Sequence, residues 1–132
     1  MTVSLGEGNT PVIELPRLAA MFDLSSIRAK AEHLNPTGSY KDRIAAATMD
    51  AALAAGRRGW IGTSSGNGGA AMSAYGRRAG LPGIICVPHD APSEKLASIR
   101  PYGALMVTMR AMGPVVMAEL ERQRTGLAVG TS

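Results

Sequence analysis

Short apolar runs alternate with helix-like stretches along most of this chain. Val12-Ile13-Glu14-Leu15, closed by Pro16, predicts a short strand, and residues 17–24 predict one or two helical turns. Residues 27–33 alternate apolar with charged positions, the period-two pattern of a strand. The Ala-rich run 44–55 reads as a helix, and Gly56 suits the position that ends one. From Trp60 onward the pattern becomes regular. Strands are predicted at 60–63, 83–87, 104–109 and 127–130, with helices at 69–79, 93–100 and 114–124 between them. Ser93 is the expected N-cap of the second of these helices, and Pro114 the proline that opens the third. The strand starts lie 23, 21 and 23 residues apart, which leaves room for one crossover helix between parallel neighbours. The expected fold class is α/β: an open parallel sheet with flanking helices and right-handed crossovers.

Composition narrows the picture. The 132 residues are 45% hydrophobic but 4% aromatic, with Ala, Gly and Met carrying much of the apolar count, a globular composition that is neither disordered nor fibrous. The net charge of +4 is carried mostly by arginines dispersed as Arg57-Arg58, Arg77-Arg78 and Arg122/Arg124, each near an expected helix end. No basic stripe with interleaved aromatics exists, and nucleic-acid binding is not expected. Cys86 is the only cysteine and lies in an apolar run, so it reads as core rather than nucleophile, and no internal disulfide forms. His33 and His89 lack ligand spacing, and no metal site is expected. No signal-like or membrane-spanning run is visible, and a soluble cytoplasmic protein is expected.

Two stretches carry candidate chemistry. In Asn35-Pro36-Thr37-Gly38-Ser39-Tyr40-Lys41-Asp42-Arg43, turn residues lead to Ser39, with Asp42 three positions on. That spacing predicts a capping box opening the Ala-rich helix. Lys41 then falls in the first helical turn, where the positive end of the dipole disfavours an ammonium. A neutral amine is what Schiff-base chemistry needs, although an inert solvated lysine has the same local pattern. The second stretch, Thr63-Ser64-Ser65-Gly66-Asn67-Gly68-Gly69, follows a strand and opens a helix, where open parallel sheets hold ligands. Its small residues let backbone N–H groups face an anion, though a plain Gly-rich turn has the same composition. A Gly-x-Gly-x-x-Gly dinucleotide fingerprint is absent, and no Lys-Ser or Lys-Thr pair follows the glycines as a P-loop requires.

Together with Leu5-Gly6-Glu7-Gly8-Asn9-Thr10-Pro11, these stretches resemble threonine synthase, of the pyridoxal-phosphate enzymes of fold type II, the tryptophan synthase β fold. The resemblance runs from Leu5 to about Gly113. Its first motif favours threonine synthase over cysteine synthase or threonine dehydratase, which share versions of the other two. It implies pyridoxal 5'-phosphate as cofactor, with Lys41 forming the Schiff base and shuttling protons. It further implies that Asn67 hydrogen-bonds the pyridine 3′-oxygen and that Ser64, Ser65 and Gly66 hold the substrate carboxylate. The implied reaction is a lyase-type conversion of O-phosphohomoserine and water to threonine and phosphate. Tyr40 stands where phenylalanine is usual, and Gly68 where members often carry a hydroxyl residue.

In that family the Gly-rich loop for the cofactor phosphate and the group facing the ring nitrogen come later than this region. The expectation is therefore an N-terminal portion: residues 1–55 carrying the lysine helix, residues 56–132 forming a small Rossmann-like α/β subdomain, and the large C-terminal domain absent. The partners expected are a small amino-acid substrate and either a second copy, as a homodimer, or a complementing C-terminal chain, with no membrane or nucleic acid. The alternatives are an inactive remnant or non-catalytic fragment, and a sibling enzyme of the dehydratase or cysteine synthase type.

Overall fold

The computed structural model describes residues 2–109. The helix expected at 114–124 and the strand at 127–130 lie outside the described residues. Two short strands, β1 (Val12–Glu14) and β2 (Arg28–Lys30), pair antiparallel around the helix α1 (Pro16–Met21). A 3-10 turn at Glu32–Leu34 leads through the turn at residues 35–40 into α2 (Lys41–Ala54). Then follow β3 (Trp60–Thr63), α3 (Asn67–Arg78), β4 (Gly83–Pro88), α4 (Ser93–Ala97), a second 3-10 turn (Arg100–Tyr102) and β5 (Leu105–Met109). The last three strands form one parallel sheet in the order β3-β4-β5. This is the α/β fold class expected.

Several local expectations shift. The strand expected over 27–33 is only three residues long, because the chain turns into the 3-10 segment at Glu32. The helix expected over 93–100 stops at Ala97, with Pro92 at its N-cap and Ser93 as its first residue. The capping box is not formed. Tyr40 is already helical in backbone angles, and Lys41 is the first residue of α2. Ser39 Oγ does accept from the Lys41 N–H at 3.2 Å. The Asp42 carboxylate turns away to Thr37, accepting from its N–H at 2.7 Å and from its hydroxyl.

The main core lies between α2 and α3. Ala45, Ala46 and Met49 meet Ala71, Ala74 and Tyr75, with Val3 and Leu81 closing the ends. Four alanines at this contact let the helix backbones approach closely, which is how a chain poor in aromatics fills its interior. A second cluster, Ile85, Val87 and Ile99, packs between the sheet and the α4 region, with Trp60 touching both clusters. Alternation along the strands turns Trp60, Ile85, Val87 and Met106 toward these cores. The opposite face carries Ile61, Ile84, Leu105, Val107 and Met109, all exposed, and the half-buried Cys86. Cys86 therefore stands on the less covered face and not in the core. Among the described residues no helix is long and apolar enough to cross a membrane.

Candidate active site

The carboxyl end of β3 and the first turn of α2 enclose a cleft of about 330 Å³. Lys41 and Ile44 of α2, Gly62 and Thr63 of β3, Ser64 of the following loop, and Gly68 and Met72 of α3 line it, with Trp60 and Ile85 at its base. Lys41 is half-buried there. Its Nζ lies 4.5 Å from the Tyr40 ring centroid, a cation–π distance that holds the amine over an exposed aromatic face. Among the described residues Lys41 Nζ makes neither a hydrogen bond nor an ion pair. The other two lysines differ: Lys30 Nζ donates to the Thr10 carbonyl at 2.8 Å, and Lys95 is exposed on α4. Of the three, Lys41 is the amine that faces a cleft.

The loop between β3 and α3 joins a strand end to a helix start, the position the sequence suggested. Gly66 is the N-cap of α3, and no side chain caps this end, so its leading N–H groups are open to an acceptor. The glycines here serve packing. A Cβ at Gly69 would meet the Ser64 carbonyl at 2.5 Å, and one at Gly68 would meet Ser64 Oγ at 2.9 Å. Of the residues singled out in the sequence, Lys41 and Ser64 share the cleft. Ser65 and Gly66 are half-buried beside it without lining it, and Asn67 is exposed at the first position of α3, next to Gly68, which does line it.

The residues that hold this arrangement were not legible as such. Glu7 accepts from the Tyr75 hydroxyl at 2.8 Å, the Ser4 hydroxyl and the Leu5 N–H at 3.0 Å each, tying the first motif to α3. Desolvation pushes the Glu7 carboxyl up, yet these bonds together hold it below its ordinary value. Burial, then the bond to Glu7, pushes the Tyr75 phenol well above the usual tyrosine range. Buried Asn35 accepts from the Gly8 N–H at 3.0 Å and donates to the Glu32 carbonyl and carboxylate at 2.8 and 2.9 Å. Arg43 forks onto both Glu32 oxygens at 2.9 Å, and the Thr10 hydroxyl donates to the same carboxylate at 2.7 Å. The Arg43 bonds, then the Thr10 bond, bring the Glu32 carboxyl down to about 2. The first motif is thus bonded to the base of the Lys41 helix. Its only sequence signal was its co-occurrence with the lysine motif.

A lysine amine in a cleft at the carboxyl end of a parallel strand, beside an uncapped helix start, is an arrangement that can offer an amine to a carbonyl and backbone N–H groups to an anion. The chain belongs to the pyridoxal-phosphate dependent enzyme family, whose model matches residues 3–130. It is 40% identical over 109 residues to the threonine synthase of Halalkalibacterium halodurans, covering 82% of this chain and 30% of that protein. Among solved structures it is similar to a pyridoxal 5'-phosphate-dependent aspartate racemase, with a TM-score of 0.72 and 31% identity over 88% of this chain and 38% of that one. Maize serine racemase gives a TM-score of 0.73 at 25% identity, over 90% of this chain and 37% of that chain. The chain spans about 30% of the length of the curated relatives it matches. The fold is that of the type II pyridoxal-phosphate enzymes.

The cleft fits the family's cofactor. Ile44, Met72 and Ile85 give it apolar walls for a pyridine ring, Lys41 gives it an amine, and the missing Cβ at Gly68 keeps open the space beside Ser64 Oγ. Among the described residues no group of three or more histidines, cysteines or carboxylates stands close enough together to hold a metal ion.

Proposed function

We propose that this chain is the N-terminal portion of a threonine synthase-like lyase, converting O-phosphohomoserine and water to threonine and phosphate. The observation that supports the reading best is the shared cleft of Lys41 and Ser64 beside the open end of α3. Residues 1–55 supply the lysine helix and residues 56–132 the small α/β subdomain. A large C-terminal domain, in the same protein or in a complementing chain, supplies the remaining cofactor contacts. A homodimer is the other assembly compatible with the reading, and the expected location is the cytoplasm.

When bound, pyridoxal phosphate supplies an electron sink for charge developing on the substrate's α-carbon. Lys41 Nζ would hold the cofactor covalently and, once the substrate's amine has displaced it, would be the free base that takes and returns the proton at that carbon. The Tyr40 ring limits the space the amine can sample. Ser64, Ser65 and the backbone N–H at Gly66 bind the substrate carboxylate, helped by the positive end of α3. Asn67, at the first position of α3, would donate to the 3′-oxygen of the ring.

Forty per cent identity to threonine synthase favours this substrate, while the racemases of similar fold favour a sibling activity as the second reading. Phosphate release from O-phosphohomoserine, measured against ketoacid formation from threonine with and without a C-terminal partner, separates them. The threonine synthase reading expects phosphate release that needs the partner. Ketoacid formation alone points to the dehydratase type, and neither product in the presence of the partner points to an inactive remnant.

A further inference from the structure

A second cavity, of about 300 Å³, opens at the amino ends of the parallel strands, the end of the sheet opposite the Lys41 cleft. Leu81, Pro82, Tyr102 and Ala104 give it apolar walls. Arg77 stands at its edge, with Nη1 3.1 Å from where a Cβ on Gly103 would sit. The connection into β3 runs beside the same wall. The Trp60 N–H donates to the Pro82 carbonyl at 3.0 Å, and a Cβ at Gly59 would meet that oxygen at 2.9 Å. The connections into β3, β4 and β5 therefore meet around this cavity.

Each of those connections brings arginine. Arg57 and Arg58 precede β3, Arg77 and Arg78 precede β4, Arg100 precedes β5, and all five are exposed. The helix dipole accounts for Arg77 and Arg78, which close the last turn of α3. It does not account for Arg57 and Arg58, which lie beyond the end of α2, or for Arg100, which lies on a 3-10 turn. No aspartate or glutamate stands in residues 55–59, 77–82 or 98–104. Residues 110–132 hold three arginines and two glutamates, so their composition does not offset this charge. Arg78 Nε donates to the Ser4 carbonyl at 3.1 Å, which fixes one guanidinium without neutralising it.

We propose that this end of the sheet is a docking surface for an acidic protein segment that carries one apolar side chain. The cavity has room for a side chain the size of leucine, and carboxylates on either side of it accept from the arginines around the mouth. The two aromatic rings here, Trp60 and Tyr102, are half-buried in the wall and leave no free ring face on which a base could stack. A peptide therefore suits the surface better than a nucleic-acid strand. The surface stands apart from the lyase reading, at the other end of the sheet from the cofactor cleft.

The probe is an amide-capped peptide, Glu-Glu-Leu-Glu-Glu, labelled with fluorescein, titrated with the full chain and followed by fluorescence anisotropy. Saturable binding is expected, and the same peptide with glycine in place of leucine is expected to bind about tenfold more weakly. Arg77→Gln combined with Arg100→Gln is expected to weaken binding about fivefold, since two exposed charge contacts are lost. Two controls are expected to leave binding unchanged. Arg17→Gln combined with Arg28→Gln removes the same charge from the β1–α1–β2 unit, and Ser64→Ala alters the Lys41 cleft. The proposal is overturned if no saturable binding is found, or if the glycine peptide or a labelled oligo-dT octamer binds as tightly. It is equally overturned if either control weakens binding as much as the Arg77 and Arg100 pair does.

Discussion

The two motif-bearing loops that meet near the Lys41 cleft treat their polar groups in opposite ways. From Gly8 through Asn35 to Arg43, the polar side chains are bonded to one another, with Asn35, Thr10 and Asp42 all buried. Across the cleft, Ser64, Ser65 and the amino end of α3 have no capping side chain, and Asn67 points into solvent. One loop is completed by the protein's own side chains, and the other keeps the leading N–H groups of α3 without a capping side chain. The difference separates support from reception: the first fixes where Lys41 starts its helix, and the second offers donors at the place that helix faces.

Substitutions sharpen that contrast. Asp42→Ala should be the most damaging, since Asp42 is fully buried and holds both the N–H and the hydroxyl of Thr37. Leaving these unpaired costs about 3 kcal/mol, read as a lower urea midpoint with an unchanged slope. Asn35→Ala removes the acceptor for the Gly8 N–H and two donors to Glu32, and about 2 kcal/mol is expected by the same measurement. If either variant unfolds with the wild-type midpoint, the supporting role is lost.

The supporting loop should also show itself in acid. The Glu32 carboxyl is lowered in the fold to about 2 from an ordinary value of 4.5, and Glu7 is lowered as well. The fold therefore binds these protons less readily than the unfolded chain does. Their stabilisation is complete above about pH 4.5 and is lost as the pH falls from there toward 2. Glu32→Gln should flatten the fall in thermal midpoint across that window. At the alkaline side the sign reverses: Tyr75 is raised, so its contribution is complete below about pH 10 and declines above it. The smallest effect on stability belongs to the receiving loop. Ser64→Ala should change the unfolding free energy by no more than about 0.5 kcal/mol while weakening cofactor and carboxylate binding. A Ser64→Ala variant as unstable as Asn35→Ala would erase the distinction between the two loops.

What the residues disclosed and what they hid follow from distance along the chain. The strands at Trp60, Gly83 and Leu105 were readable because β-branched apolar runs between glycines and prolines decide local conformation. The loop from Ser64 to Gly69 was readable because its small residues serve one place in such a sheet. Asp42 was misread because Ser39 and Asp42 have capping-box spacing, whereas the helix begins at Lys41 and puts the carboxylate within reach of Thr37. The Glu7–Tyr75 bond joins residues 68 positions apart, and no local pattern can announce it. The same holds for Gly76 and Gly83, whose reason is the Trp60 ring packed against both.

The claim that Lys41 is the amine that takes the cofactor can be tested by trapping. The chain, mixed with pyridoxal phosphate, is reduced with borohydride and mapped by peptide mass spectrometry over its three lysines, Lys30, Lys41 and Lys95. The label is expected on Lys41, with the accompanying visible absorption band missing from Lys41→Ala. Label spread evenly over all three, or concentrated on the exposed Lys95, would contradict the account.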